Sequence, residues 1–228
     1  MLNQTTAIIF DCDGVLVDSE QISISVDRLF LRSIGLEYSE QDLSKLIGLS
    51  EDQYYTRINN DYSKLGKDSL PTEFIAQIRT ERWRRYESEL TEVHGASDFL
   101  QMNKRKVAVA SSSSYKSIVK KLKLAHLHNY LAPNIFSTEQ VRRGKPYPDI
   151  YYYSAAKIGV DPKNCVVIED SVNGVKAATK SGSSVWGFTA GSHATVDLEM
   201  RLKTAGASLI ISSFKDLSDK LNHPYYSP

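Results

Sequence analysis

Two carboxylates stand one residue apart where the first apolar run of the chain ends. Asp11 and Asp13 follow the run 7–10 and lead into Gly14, a residue that favours a turn. Polar side chains come after strand-like runs at three more places, namely Ser111 with Ser112, Lys145, and Glu169 with Asp170. In an open parallel sheet the carboxyl ends of the strands form the ligand crevice. We therefore expect these carboxylates, hydroxyl groups and ammonium group to lie together.

Several carboxylates in one crevice repel one another unless a hard cation lies among them. Oxygen ligands without a nearby histidine or thiolate cluster favour Mg²⁺ over zinc. Magnesium held by few carboxylates shares its shell with water and substrate phosphate. Ser111, the amides near Ser112 and Lys145 could bind that phosphate. One aspartate could then attack phosphorus and form an acyl phosphate, while the other transfers protons.

The elements that must position these groups are short strands alternating with helices. Six apolar or β-branched runs have the character of buried strands, namely 7–10, 107–110, 135–136, 166–168, 185–188 and 209–211. Continuous apolar runs separated by helical stretches predict a parallel sheet covered on both faces, and therefore an α/β fold.

The interval from about Glu20 to Val93 has a different pattern. Its apolar residues recur at helical spacing, and Ser50 with Gln53 three residues later is a capping-box signature. At roughly 70 residues it is too long for an ordinary crossover. We predict a core of residues 1–19 and 94–228 with an all-helical cap domain, residues 20–93, inserted after the first strand.

Composition excludes several classes of partner. The 28 basic residues nearly balance the 27 acidic ones, which favours neither nucleic acid nor an anionic membrane. No apolar run approaches the roughly 20 residues of a membrane helix, and the segment 1–6 lacks the basic region of a signal peptide. Only two cysteines are present, which fits a reducing compartment. We expect a cytoplasmic monomer that acts on a small phosphorylated molecule.

Four motifs in order resemble the haloacid dehalogenase superfamily of phosphohydrolases, in the branch with a helical cap after the first strand. They are Asp11-Cys12-Asp13-Gly14-Val15, the strand end at Ser111, Gly144-Lys145-Pro146, and Glu169-Asp170-Ser171. The resemblance implies a Rossmann-like sheet, with Asp11 as nucleophile and Asp13 as general acid/base. Ser111 and Lys145 would bind the phosphoryl group. The implied Mg²⁺ ligands are Asp11, the backbone carbonyl of Asp13, Asp170 and Glu169.

Within this branch the chain looks like the β-phosphoglucomutase-like phosphatases. Gly48-Leu49-Ser50 matches the cap loop that closes over substrate in that group, so Gly48 is expected at the substrate. The mutase pattern has a cap arginine where this chain has Glu51, and a histidine where it has Ser23. A bisphosphate needs cations at both ends, so we expect hydrolysis of a sugar phosphate, with a phosphomutase as the alternative.

Other interpretations concern single features. A non-catalytic phospho-acceptor module also combines acids, a hydroxyl and a lysine, but such receivers are shorter and lack a helical insert.

The basic run 79–85 could suggest RNA binding, yet interleaved glutamates favour a solvated cap helix. His193 follows a strand and could lie near the rim of the crevice.

Overall fold

A computed structural model describes residues 6–222 and contains one six-stranded sheet. The strands are β1 (Ala7–Phe10), β2 (Lys106–Ser111), β3 (Ile135–Ser137), β4 (Cys165–Glu169), β5 (Ser184–Phe188) and β6 (Leu209–Ile211). All neighbours are parallel, in the order β3-β2-β1-β4-β5-β6. The predicted α/β class is confirmed, and all six predicted strands are present. The segment 1–5, which bears on the signal-peptide prediction, lies outside the described residues.

β1 occupies the middle of the sheet because every one of its side chains is apolar. Ile9 pairs with Ala108 of β2 on one side and Val167 of β4 on the other. All four residues of β1 are fully buried, as a strand covered on both faces requires. Asp11 therefore leaves the centre of the sheet at its carboxyl edge.

Two layers of helices cover the sheet. One face packs against α5 (Ala96–Met102), α6 (Tyr115–Leu124), α7 (His128–Leu131) and α11 (Phe214–Asn222). The other packs against α8 (Asp149–Lys157), α9 (Val172–Lys180) and α10 (Leu198–Ala205). Side chains that alternate along β1 enter the two apolar clusters in turn, with Ile8 in the first and Ile9 in the second.

Five helices lie between β1 and β2, and the last of them is α5. The other four form the insert and are α1 (Glu20–Ser33), α2 (Glu40–Ser44), α3 (Glu51–Ser63) and α4 (Thr72–Glu89). Ser50 caps α3 through the predicted capping box with Gln53. These helices bury an apolar cluster of their own, which includes Val26, Ile58 and Ile78. The insert is helical as expected, and its role as a cap domain with bounds 20–93 stays a prediction. None of the helices within residues 6–222 is both long enough and apolar enough to span a membrane.

Candidate active site

The carboxyl ends of three adjacent strands bring the predicted residues to one place. Asp11 follows β1, Ser111 ends β2 and Glu169 ends β4. A cavity of about 650 Å³ lies between this edge and the inserted helices. The predicted residues that line it are Asp11, Asp13, Gly48, Ser111, Ser112, Lys145 and Asp170. Glu169 lies behind them, fully buried.

Lys145 lies at the centre of the buried charges. Its Nζ donates to Asp11 Oδ1 at 2.8 Å, to Glu169 Oε1 at 2.6 Å and to the Ala110 carbonyl at 3.0 Å. Its side chain is 1% exposed, so these three acceptors replace the water that an ammonium group would otherwise bind. Lys145 thus pairs with two carboxylates, offsets one of their two negative charges, and lines the cavity.

Glu169 is held by groups from two helices. The Tyr151 hydroxyl donates to its Oε1 at 2.6 Å, and the Ser171 hydroxyl donates to its Oε2 at 3.0 Å. Ser171 also caps α9 by accepting from the Gly174 amide. A Cβ at residue 174 would lie 1.8 Å from Glu169 Oε1. The first turn of α9 therefore needs glycine there to leave room for the carboxylate.

Three carboxylates meet the requirements of a divalent cation. Oxygen atoms of Asp11, Glu169 and Asp170 lie within 4.8 Å of one another. Both side-chain oxygens of Asp170 are buried, and Oδ1 lacks a partner among the described residues, whereas Oδ2 lies 3.0 Å from His193 Nε2 without hydrogen-bond geometry. Burial raises the pKa of Asp11 and of Asp170, as expected for acids in a low dielectric. A hard cation that prefers oxygen ligands, such as Mg²⁺, fits this donor set.

Asp13 has a separate set of partners, although it is two residues from Asp11. Its carboxylate accepts from the Ser19 hydroxyl, from the Ser113 hydroxyl at 2.8 Å, and from the Lys121 ammonium. Burial acts to raise the pKa of Asp13, but the Lys121 charge and the hydrogen bonds outweigh it and lower the pKa. Its side chain is not part of the three-carboxylate cluster.

Ser111 and Ser112 lie at the edge of the cavity that faces Lys145. The Ser111 side chain is 2% exposed, and its oxygen accepts the Ser113 amide at 3.1 Å. Ser114 caps α6 by accepting from the Ser117 amide. All four serines of the run line the cavity, and Ser114 also begins a helix.

Lys121 and His193 are site residues that the sequence reasoning missed or misplaced. Lys121 belongs to α6 and is buried on the same face as Ile118 and Leu122, a pattern that could have marked it. His193 was expected at the rim but is buried, with its Nε2 3.0 Å from Asp170 Oδ2 at ion-pair distance. Its proximity to Asp170 raises the pKa of His193 despite burial. No local pattern marks that contact.

The basic run 79–85 is not a uniformly solvated face. Arg82 donates to both carboxylate oxygens of Asp27, each at 2.5 Å, and Tyr54 donates to the same carboxylate. Asp27 is 4% exposed, so this is a buried pair inside the insert. Arg79 pairs with Glu51 at 2.7 Å beside the cavity. The alternation of charges along the helix predicted solvated side chains, but pairing with residues of other helices partly buries Arg82.

The insert also contacts the core at the site. A Cβ at residue 48, where φ is +81°, would lie 2.5 Å from Cβ of Ser171. Asn173 of α9 donates to the Gly48 carbonyl at 3.4 Å. Gly48 therefore lets the insert approach the helix that follows Glu169 and Asp170.

Comparisons with known proteins identify the class. Residues 8–188 match the family model of haloacid dehalogenase-like hydrolases. A phosphorylated carbohydrates phosphatase of Thermotoga maritima is 32% identical over 77% of this chain and 81% of its own. The chain therefore belongs to the haloacid dehalogenase-like hydrolases, as the motifs predicted.

Solved structures agree with this placement. A haloacid dehalogenase-like protein of unknown function from Agrobacterium tumefaciens has a TM-score of 0.83 and 32% identity, covering 94% of this chain and 96% of its own. A β-phosphoglucomutase of Thermotoga maritima, so designated provisionally, has a TM-score of 0.73 and 27% identity, covering 93% and 97%. The predicted resemblance to the β-phosphoglucomutase-like branch is confirmed.

Proposed function

We propose that this chain is a Mg²⁺-dependent phosphatase that hydrolyses a small sugar phosphate through a phospho-aspartyl intermediate. That it is a phosphoric monoester hydrolase follows from its family. The observation that carries the finer proposal is Asp11, buried beside Lys145 and within 4.8 Å of two other carboxylates at the cavity. Similarity to a phosphatase of phosphorylated carbohydrates supports the substrate class.

Asp11 is the proposed nucleophile. Its carboxylate attacks phosphorus, while Ser111, the Ser112 amide and Lys145 bind the phosphoryl oxygens. Asp13 gives a proton to the leaving oxygen and later takes one from the water that hydrolyses the acyl phosphate. Magnesium, held by Asp11, Glu169, Asp170 and the carbonyl of Asp13, would supply charge neutralisation for the phosphoryl group.

The cap side of the cavity favours net hydrolysis over a mutase reaction. A bisphosphate intermediate needs a cation for its second phosphate. Arg79 already pairs with Glu51, and Arg82 already pairs with Asp27. A phosphomutase remains the second candidate because a structural neighbour carries that designation.

Substitution of the nucleophile tests the proposal. Asp11→Asn should reduce turnover of p-nitrophenyl phosphate with Mg²⁺ by at least about 10³-fold, because an amide cannot form the acyl phosphate. The exposed acid Asp68 of the insert gives the control, since Asp68→Asn removes a carboxylate outside the cavity. Acid-quenched wild type should carry one phosphoryl group on Asp11 by peptide mass. Near-normal turnover by Asp11→Asn would contradict the covalent mechanism.

A panel of hexose phosphates separates the two candidate functions. A phosphatase releases orthophosphate from each substrate that it accepts. A mutase supplied with a hexose 1-phosphate and catalytic bisphosphate makes the isomer without net phosphate release. We expect phosphate release that is lost on addition of EDTA and restored by excess Mg²⁺.

A further inference from the structure

Lys121 is a buried lysine that the proposed mechanism leaves without a role. It lies on α6, is 4% exposed, and lines the cavity together with the predicted site residues. Its Nζ donates to Asp13 Oδ1 and lies 3.1 Å from the Ser113 hydroxyl. Ser113 in turn donates to the other oxygen of the same carboxylate. The two side chains therefore hold both oxygens of Asp13.

Each of the two lysines that line the cavity contacts a different one of the two aspartates, Asp11 and Asp13. Lys145 contacts Asp11 and Glu169, on the side of the nucleophile. Lys121 contacts Asp13, on the side where the leaving oxygen must be protonated. Burying an ammonium group costs several kcal/mol unless it is paired. Pairing with Asp13 meets that requirement for Lys121, and it fixes the ammonium group beside the acid/base carboxylate.

We propose that Lys121 is a positioning residue for Asp13, which together with Ser113 holds the acid/base carboxylate in place for the leaving oxygen. This inference rests on the proposed phosphatase function. The three donors to Asp13 come from three separate segments of the chain, and this arrangement fixes the position of its carboxylate. Ser19 precedes α1, Ser113 follows β2, and Lys121 lies in α6.

The chemistry of the leaving group defines when this role matters. As the bond from phosphorus to the ester oxygen breaks, its electron pair goes to that oxygen, which takes the proton of the Asp13 carboxyl group. The Asp13 carboxylate that results is the form that Ser19, Ser113 and Lys121 hold in this structure, and the Lys121 ammonium stabilises its charge. An alcohol oxygen needs that proton, whereas p-nitrophenolate leaves as an anion. Lys121 should therefore matter for alkyl phosphates and little for p-nitrophenyl phosphate.

Lys121→Met tests this by comparing two esters, with glycerol 2-phosphate as the alkyl phosphate and p-nitrophenyl phosphate as the activated one. We expect kcat/KM on the alkyl ester to fall by about 10- to 100-fold, within the usual range of general acid catalysis. The loss on the nitrophenyl ester should be at least about fivefold smaller. Lys123→Met removes an exposed lysine of the same helix and should give equal values on both esters.

A double-mutant cycle distinguishes positioning from direct binding of substrate. If Lys121 acts through Asp13, Lys121→Met should cause almost no further loss of kcat/KM on the alkyl ester when Asp13 is already replaced by Asn. Full additivity would overturn the proposal and assign Lys121 to substrate binding. The double variant also leaves no unpaired buried charge, so it should fold where the single variant does not. Lys121→Arg should recover part of the alkyl activity, because it keeps the charge.

The two proposals fail in different ways. If wild type releases no phosphate from either ester with Mg²⁺, the proposed function fails. If wild type is active and Lys121→Met lowers kcat/KM by the same factor on both esters, only the proposed role of Lys121 fails. Far-ultraviolet circular dichroism of each variant identifies a loss caused by unfolding.

Discussion

At the scale of single residues, the two aspartates of the first motif differ in their surroundings. Asp11 lies against Lys145, with two carboxylates beside it. Asp13 lies against Lys121 and two serine hydroxyls. Burial raises the pKa of Asp11, whereas at Asp13 the Lys121 charge and the hydrogen bonds outweigh burial and lower the pKa. Similar side chains can thus have separate roles within one turn.

Glu20 provides a residue-scale prediction about pH. It lines the cavity, and burial together with the negative charge of Asp13 raises its pKa to about 7. Between the ordinary value of 4.5 and about 7, the folded state binds more protons than the unfolded state. Stability is therefore lost as pH rises through this window. Glu20→Gln should stabilise the protein at pH about 8 by no more than about 3 kcal/mol.

The measurement is urea unfolding of both proteins in EDTA, because a bound cation would change the field at Glu20. The gain of Glu20→Gln should be present at pH about 8 and shrink as the pH falls from about 7 to the ordinary value of 4.5, below which the carboxyl group is protonated in both states. Gln21 is the next residue on α1 and carries no charge, so Gln21→Asn serves as a control without pH dependence. A constant gain at all pH values would contradict the shifted pKa.

Among the helices, α9 combines its N-cap with the packing of Glu169, one of the three clustered carboxylates. Ser171 caps the helix and also donates to Glu169. Gly174 is packed against the same carboxylate, without room for a side chain. The start of the helix and the orientation of the acid are therefore one structural feature.

Gly174→Ala should lower activity more than stability. Alanine gains up to about 1 kcal/mol in a helix interior, which offsets part of the clash. The clash displaces the Glu169 carboxyl group, because three of its atoms lie between 1.8 and 2.1 Å from the new Cβ. We expect kcat/KM to fall at least about tenfold, with weaker Mg²⁺ binding by calorimetry. Lys176→Ala, at an exposed position of α9, should change neither, and an unaffected Gly174→Ala would contradict the packing argument.

At the scale of the whole molecule, the insert contacts the core through Gly48 and Ser171. Arg82 and Asp27 tie helices of the insert together, so it can hold its own shape beside the cavity. Closure of such a segment excludes bulk water from phosphoryl transfer. The close approach at Gly48 makes this contact open to a direct test.

Gly48→Ala should disturb the fit between insert and core. Its Cβ would lie 2.5 Å from Ser171 Cβ, and the left-handed φ of +81° adds strain of about 1 kcal/mol. We expect kcat/KM on a sugar phosphate to fall at least about tenfold. Gly66 is the matched control, with φ of +76° and no atom within 4 Å of a Cβ. Gly66→Ala should lower the free energy of unfolding by a similar amount but keep its activity. Equal activity of the two variants would contradict the closure argument.

Local patterns in the sequence predict the six strands, the helical insert and the meeting of five site residues, namely Asp11, Ser111, Lys145, Glu169 and Asp170. Buried parallel strands are continuous apolar runs, and their carboxyl ends share one edge, so local patterns contain that information. The role of each residue stays a prediction.

Only the tertiary structure decided the partners of the remaining charges. Lys121 reaches Asp13 across 108 residues of sequence, and Arg82 reaches Asp27 across 55. His193 was expected at a rim and is buried against Asp170. The burial of a charge and the choice of its partner depend on how distant elements pack, because the desolvation cost of a charge is set by its final surroundings.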